Sequence, residues 1–315
     1  MSDTPYIVIS DGFDEKIFRE LSDESNLEIH PEKKLSRENL ISLGEKVNGL
    51  VVRSATMVDQ DLINQLPNLK YVIRAGEGTD NIDKKYCSDK GIRVSNTPGA
   101  NSNSAAEHAV SLIMTTLRKT HTAHASMTKG KWEKSLFAGN ELWKKTVGFV
   151  GFGRIGKIVA KRISGFEPNI LFYDPFIEGD LEPNYQKATL EEIFQKSDII
   201  TVHTPLNEQT KGLVGEQLIN LMKKSAILIN AARGGVVDEE ALAKALSNSS
   251  IAAAALDVFE QEPLDSNSPF INMPNVLLTP HLGASTAEAQ IRVGLMAASQ
   301  LKEFFINGNL LNEVK

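Results

Sequence analysis

At 315 residues the chain exceeds the length at which a single hydrophobic core keeps growing, so two domains are expected. Apolar residues make up 41% and charged residues 23%, a balance that excludes a disordered or fibrous chain. A net charge of −6 argues against nucleic acid or an anionic membrane as partner, and a lone cysteine, Cys87, excludes an internal disulfide and a cysteine-rich metal site.

The chain opens MSDTPYIVIS, without a basic n-region or a long apolar segment, and no apolar run approaches the roughly 18 residues that span a bilayer. A cytoplasmic protein without a metal is expected. Apolar runs at 6–10, Leu27–His30, Gly49–Arg53, Tyr71–Arg74 and Ile92–Ser95 alternate with helix-like segments, which predicts a parallel sheet covered on both faces. In such sheets ligands sit beyond the carboxyl ends of the strands. Two strands end there in arginine, Arg53 in VVRS and Arg74 in YVIRAGEGTDNID, the second followed by Gly76 and Gly78. Guanidinium groups beside glycines that expose backbone amides are suited to holding an anion.

The turn-rich stretch Asn96–Ala106 marks a boundary, and Ser104 with Glu107 predicts a capping box that starts one long helix running through EHAVSLIMTTLRKTHTAHASM. His108, His121 and His124 lie on it and read as core or solvated histidines, because no further ligand type is near. The central motif follows. Thr146–Gly156, TVGFVGFGRIG, reads as a strand whose end carries Gly151, Gly153 and Gly156 in a G-x-G-x-x-G turn opening a helix. The first glycine allows the tight turn, the second lets amides approach a pyrophosphate, and the third lets helix and strand pack closely. Asp174 ends the next strand about 20 residues on, where an acid accepts ribose hydroxyls and repels a 2′-phosphate, so NAD is the expected cofactor.

Further strands are predicted at Ser197–His203, Ala226–Asn230, Ile251–Val258 and Asn275–Thr279, with Asp238 capping a helix between the second and third. A last helix, roughly Thr286–Asn307, is long enough to return to the first domain. The glycine turn therefore lies in a domain inserted into another, with two crossings that form a hinge around a cleft. Hydride exchange with a 2-hydroxy or 2-keto acid needs a cation for the carboxylate and a proton carrier for the oxygen. Arg233 suits the first task and His281 the second, with Glu262 placed to stabilise the protonated imidazole from its far side. Asp257 is expected to face the nicotinamide amide.

The segments VVRSAT, RAGEGTDNID, NTPGANSNSAAE, GKWEKSLFAGNEL, GFGRIGK, HTPLNEQTKGLV, NAARGGVVDEEAL, ALDVFEQEP and PHLGAST resemble the D-2-hydroxyacid dehydrogenases over the whole length. Within that family the chain is most similar to the phosphoglycerate branch. The resemblance implies an α/β protein of two domains, a Rossmann NAD-binding domain (101–284) inserted in a flavodoxin-like substrate-binding domain (1–100 and 285–315). It implies a catalytic trio of Arg233, Glu262 and His281. Arg154, Ile155, Asp174, Thr204, Ala231 and Asp257 would contact NAD, with Gly151, Gly153, Gly156, His203, Pro205 and Gly283 on the same surface. Arg53, Arg74, Gly76, Asn101 and Lys134 would line the substrate side, and a homodimer would form through the NAD-binding domain.

The expected reaction is NAD-dependent oxidation of D-3-phosphoglycerate in serine synthesis. Two alternatives stay open: a hydroxypyruvate or glyoxylate reductase of the same family, and a non-catalytic NADH-sensing scaffold of corepressor type. A formate-type enzyme would carry glutamine in place of Glu262. Glu77 stands where the family usually has a small or apolar residue, so it is expected to turn to solvent or pair with an arginine. The sequence stops at Lys315 without the C-terminal regulatory domain of many phosphoglycerate enzymes, so feedback by serine through such a domain is not expected.

Overall fold

The computed structural model describes residues 4–12, 17–18, 26–31, 35–179, 181 and 184–315. The chain forms two compact units, Met1–Asn101 with Ala284–Lys315, and Ser102–Gly283.

The first unit is built on five parallel strands: β1 (Tyr6–Ile9), β2 (Glu28–Pro31), β3 (Val47–Val52), β4 (Tyr71–Arg74) and β5 (Arg93–Asn96). Their order β2-β1-β3-β4-β5 is the flavodoxin-like winding. Apolar side chains leave both faces of this sheet, so each face has its own core. One gathers Val8, Leu50, Val72 and Val94, and the other gathers Ile7, Ile9, Val51 and Ile73. The second core is closed by the helix Ala287–Lys302 through Val293, Ala297 and Leu301. Thr286 caps that helix, accepting the Ala289 N–H, and a single π-turn, Glu303–Asn307, ends it. Edge strand β5 is covered by the chain's last residues, with Val314 N–H donating to Val94 C=O at 2.9 Å and Ser95 Oγ to Leu311 C=O at 2.7 Å.

The second unit has seven parallel strands: β6 (Thr146–Val150), β7 (Asn169–Tyr173), β8 (Tyr185–Lys187), β9 (Ile199–Val202), β10 (Ile227–Asn230), β11 (Ala253–Leu256) and β12 (Val276–Leu278). The order is β12-β11-β10-β9-β6-β7-β8, so the direction of winding reverses between β6 and β9. This is the doubly wound Rossmann arrangement, and the reversal opens a crevice at the strand ends where dinucleotides bind. Helices Ser102–Arg118 and Arg154–Ile163 share one core with Phe149 and Ile229, and helix Glu239–Ser247 joins the core of the opposite face.

Three local expectations change. The long helix is two, Ser102–Arg118 and Thr120–Met127, because Lys119 takes φ +51°, a left-handed conformation that ends the first helix. Ser104 lies inside the first helix rather than at its cap, and its hydroxyl donates to Gly283 C=O at 2.7 Å. Strand β8 is an addition, since YQK at a sheet edge carries almost no apolar signal. Among the described residues no helix is long and apolar enough to cross a membrane.

Candidate active site

The glycine turn is shaped by close approach. Gly151 takes φ +90°, and a Cβ there would lie 2.9 Å from the His203 carbonyl carbon and oxygen, so β6 and β9 approach too closely for any larger residue. A Cβ on Gly156 would lie 2.8 Å from Gly151 C=O, which explains the third glycine as a helix-to-turn contact. At Gly153 a Cβ would meet nothing within 4 Å. Gly153 is also the N-cap of helix Arg154–Ile163 and offers no side-chain cap. The helix thus begins at an open position with no side chain over its N-terminus, an arrangement that suits a pyrophosphate.

Asp174, only 9% exposed, follows β7 at the next strand end. Its Oδ2 accepts the Phe152 N–H and its Oδ1 the Phe176 N–H, both at 2.9 Å. Each carboxylate oxygen keeps a second lone pair, so the acid braces the glycine turn while retaining capacity for ribose hydroxyls. A surface pocket of about 500 Å³ beside it is lined by Tyr173, Asp174, Pro175, Thr189 and Leu190. Across the reversal point, His203 stacks on Phe149 at 5.8 Å between ring centroids, and its Nε2 shares a hydrogen bond of 2.9 Å with Thr201 Oγ1. Burial pushes the imidazole down to about 4, so it is neutral at pH 7. Thr204 Oγ1 is buried without a partner, and Pro205 C=O accepts the Thr210 hydroxyl at 2.6 Å.

The candidate catalytic residues sit on three loops of the same unit. After β10, Asn230 clamps Ala231–Gly235: its Oδ1 accepts Ala232 N–H at 3.1 Å and its Nδ2 donates to Arg233 C=O at 3.0 Å. A side chain at Gly234 would collide with the Phe259–Glu260 peptide, so only glycine lets the Arg233 loop lie against the loop that carries Glu262. Arg233 Nη1 donates to Ala232 C=O at 2.6 Å.

Glu262 Oε2 lies 2.6 Å from His281 Nδ1, and its Oε1 accepts Phe259 N–H at 3.1 Å. Burial alone would raise the Glu262 carboxyl, but the His281 and Phe259 hydrogen bonds outweigh it and hold the group below its ordinary range. The His281 side chain is 39% exposed. With Nδ1 engaged by a carboxylate, the other ring nitrogen is the one available for proton exchange. His281 adopts φ +54°, a conformation that costs a residue with a Cβ about 1–2 kcal/mol.

That strain is held by Asp257, which is 1% exposed. Asp257 C=O accepts His281 N–H at 2.8 Å. Its Oδ1 takes the Thr279 hydroxyl at 2.6 Å and Leu282 N–H at 2.8 Å, and its Oδ2 takes Gly283 N–H at 2.9 Å. His108 Nε2 stands 3.0 Å from Asp257 Oδ1. Burial opposes ionisation here too, yet the His108, Thr279 and Leu282 donors hold the carboxyl below its ordinary range. Whatever Asp257 does toward a cofactor, most of its acceptor capacity is spent on the turn that carries His281.

In the first unit Arg53 and Arg74 end neighbouring strands, with Val52 opposite Arg74 in the register. Asp11, after β1, pins the Arg53 loop: its Oδ2 accepts Arg53 N–H at 2.6 Å and its Oδ1 the Thr56 hydroxyl at 2.6 Å. Asn81 Nδ2 grips the same loop from the other side, donating to Arg53 C=O at 2.7 Å and Thr56 C=O at 2.6 Å. Burial pulls the Arg53 guanidinium below its usual value, with the Asp11 charge opposing. Gly76 takes φ +152°, a backbone conformation that residues with a Cβ rarely adopt, and the Arg74 guanidinium occupies the space a Cβ would enter.

Glu77 Oε2 accepts Gly99 N–H at 2.7 Å, while Asn96 Nδ2 donates to Glu77 C=O at 2.6 Å. The acid thus ties the loop after β4 to the segment leading to Asn101, whose Oδ1 is buried without a partner. Helix Ala287–Lys302 holds the same segment, Arg292 Nε donating to Ala100 C=O and Gln300 Nε2 to Asn96 C=O, both at 2.8 Å. Lys134 belongs to the second unit and stands exposed on the 3-10 turn Lys134–Phe137. Asp11, Asn81 and the Asp257–His108 pair carry little signal in the sequence. The acid after β1 and the i, i+4 spacing of Ser104 and His108 were the only cues.

A doubly wound sheet with this glycine turn, and an acid–base pair on neighbouring strand ends, defines a nucleotide-dependent oxidoreductase fold. Residues 110–283 match the family model for the NAD binding domain of D-isomer specific 2-hydroxyacid dehydrogenases. The D-3-phosphoglycerate dehydrogenase of Archaeoglobus fulgidus is 43% identical over 279 residues, covering 88% of this chain and 53% of that protein. The hydroxypyruvate reductase of Thermotoga maritima is 43% identical over 290 residues, covering 91% of this chain and 94% of that one. The structure of the NAD-dependent formate dehydrogenase of Staphylococcus aureus in complex with NAD superposes with a TM-score of 0.89 at 29% identity, covering 98% and 99% of the two chains. The chain belongs to the D-isomer-specific 2-hydroxyacid dehydrogenase family, and its second unit is the family's NAD-binding domain. It spans little more than half the length of the phosphoglycerate dehydrogenases it matches.

Proposed function

We propose that the protein oxidises D-3-phosphoglycerate to 3-phosphohydroxypyruvate, the opening step of serine synthesis. The observation that carries the reading is the Glu262–His281 pair, held at 2.6 Å on strand-end loops of the NAD-binding domain. NAD supplies the two-electron acceptor for the C2 hydride. His281 takes the hydroxyl proton on its Nε2 as the C2–H bond breaks, and Glu262 stabilises the resulting imidazolium through Nδ1. In the reverse direction the same imidazolium returns the proton to the carbonyl oxygen. Arg233 anchors the carboxylate by a planar charge-assisted pair. Arg53, Arg74, Asn101 and the backbone at Gly76, with Lys134, receive the remaining anionic groups. Asp174 reads the ribose, with Gly151, Gly153, Arg154, Ile155, Gly156, His203, Thr204, Pro205, Ala231, Asp257 and Gly283 forming the rest of the cofactor surface.

Similarity to several relatives named D-3-phosphoglycerate dehydrogenase supports this substrate. A second reading, reduction of hydroxypyruvate, is favoured by one observation: the Thermotoga hydroxypyruvate reductase matches over 94% of its own length. The arginine pair would then bind a carboxylate alone.

A homodimer formed through the second unit accompanies both readings. Its support is the arm that includes helix Thr120–Met127, which exposes Trp132 at 81%, Leu136 at 62% and Met127 and Trp143 at 52% each. The test of the acid–base assignment is His281→Ala. Turnover should fall at least about 100-fold with NADH binding retained. Unchanged turnover would remove His281 from the mechanism.

A further inference from the structure

We propose that His108, on a helix remote in sequence from the acid–base residues, is a positioning residue that sets the aim of His281. This rests on the acid–base reading of His281 given above.

The turn Thr279–Gly283 is gripped by one buried side chain. Asp257 holds its two ends through Thr279 Oγ1 and Gly283 N–H, its middle through Leu282 N–H, and His281 itself through the backbone carbonyl. These bonds make Asp257 and the turn a single body. Backbone bonds root that body in the sheet, Asp257 N–H donating to Asn230 C=O at 2.9 Å and Thr279 N–H to Leu256 C=O at 3.0 Å. Two side chains of helix Ser102–Arg118 add a lateral tie at the far end of the turn, spaced i, i+4 and therefore on one helix face. Ser104 Oγ donates to Gly283 C=O at 2.7 Å. His108 Nε2 reaches Asp257 Oδ1 at 3.0 Å and Thr279 Oγ1 at 3.2 Å. The Thr279 hydroxyl already donates to Asp257, so His108 Nε2 carries the N–H here, a third contact on Oδ1 beside Thr279 and Leu282.

The His108 side chain is 17% exposed and Asp257 is 1% exposed, so water competes little for this bond. His281, by contrast, is held in a left-handed backbone conformation whose ring direction depends on how the turn is seated. Removing the His108 donor leaves the turn's own hydrogen bonds intact, so the fold should persist. One of the two lateral ties is lost, Ser104 alone remains, and Nε2 of His281 can shift from the reacting oxygen. A misplacement on the scale of 1 Å costs on the order of 10- to 100-fold in rate.

The test compares His108→Leu with His108→Gln, whose amide N–H can still donate to Asp257. The assay uses NADH and whichever of phosphohydroxypyruvate and hydroxypyruvate the wild type reduces faster. His108→Leu should lower kcat on the order of 10-fold or more while KM, NADH affinity by fluorescence and Tm change little, and His108→Gln should recover most of the rate. A kcat untouched by His108→Leu, or a loss that His108→Gln does not recover, overturns the proposal. His281→Ala run in parallel separates the two failures. If that variant keeps its turnover, the acid–base reading itself is wrong. If it is inactive while His108→Leu is fully active, only the role of His108 falls.

Discussion

His281 Nδ1 and Glu262 Oε2 lie 2.6 Å apart, although 19 residues and two loops separate them in the chain. Their contact depends on backbone details that the side chains do not advertise. Glycine at 234 lets the Glu262 loop lie against the Arg233 loop, and Asp257 holds His281 at a positive φ.

Glu262→Gln keeps the side chain's size and removes the charge, while its single oxygen can accept from His281 Nδ1 or from Phe259 N–H but not both. A glutamine can still accept from Nδ1 but cannot stabilise an imidazolium, so kcat for reduction should fall on the order of 100-fold with NADH affinity retained. The stability consequence has a fixed sign. Because the folded state holds the Glu262 carboxyl below its ordinary value, its contribution is present above the unfolded value of about 4.3 and is lost as pH falls through the lower folded value. Acid unfolding followed by circular dichroism should therefore be less steep in the variant across that window. An identical acid profile together with an unchanged kcat would contradict both parts.

Asp174→Ala removes the proposed acceptor of the ribose and also the brace on Phe152 N–H and Phe176 N–H. Charge-assisted hydrogen bonds of this kind are worth about 1.5–3 kcal/mol, so NADH affinity should fall roughly 10- to 100-fold. NADPH affinity should fall less, because the repulsion of its 2′-phosphate disappears as well. Fluorescence titration with both nucleotides measures the ratio. A wild-type protein that binds the two equally would show that Asp174 does not select.

His203 offers a test at mildly acidic pH. Its folded value is about 4 and the unfolded value about 6.5, so above pH 6.5 both states are neutral and the full stability is present. Between pH 6.5 and 4 the unfolded chain takes up a proton that the folded one refuses, and stability falls. Tm measured from pH 7 to 4 should decline by several degrees less in His203→Gln than in the wild type. Equal slopes would mean that the imidazole is not held neutral.

Much of this architecture was legible in the sequence because parallel strands read as short apolar runs and because ligands gather at their carboxyl ends. The glycine turn, Asp174, Arg233, Glu262 and His281 all lie at such ends, so spacing along the chain was enough to nominate them. Residues that support them were not legible. Asp11 reaches Arg53 across 42 residues, Glu77 reaches Gly99 across 22, and His108 reaches Asp257 from another element altogether. Each bond depends on how elements stack, and no local pattern encodes that. The break at Lys119 was hidden for a different reason. Periodicity runs through it, and a single left-handed residue leaves no apolar signature.

Steady-state kinetics address the choice of substrate most directly. With NADH in excess, the initial rates of reduction of 3-phosphohydroxypyruvate, hydroxypyruvate, glyoxylate and pyruvate would be compared. An arginine pair that reads a phosphate as well as a carboxylate should give kcat/KM for phosphohydroxypyruvate at least about 10-fold above that for hydroxypyruvate, the equivalent of one charge-assisted contact. Equal values with and without the phosphate would contradict the phosphoglycerate assignment.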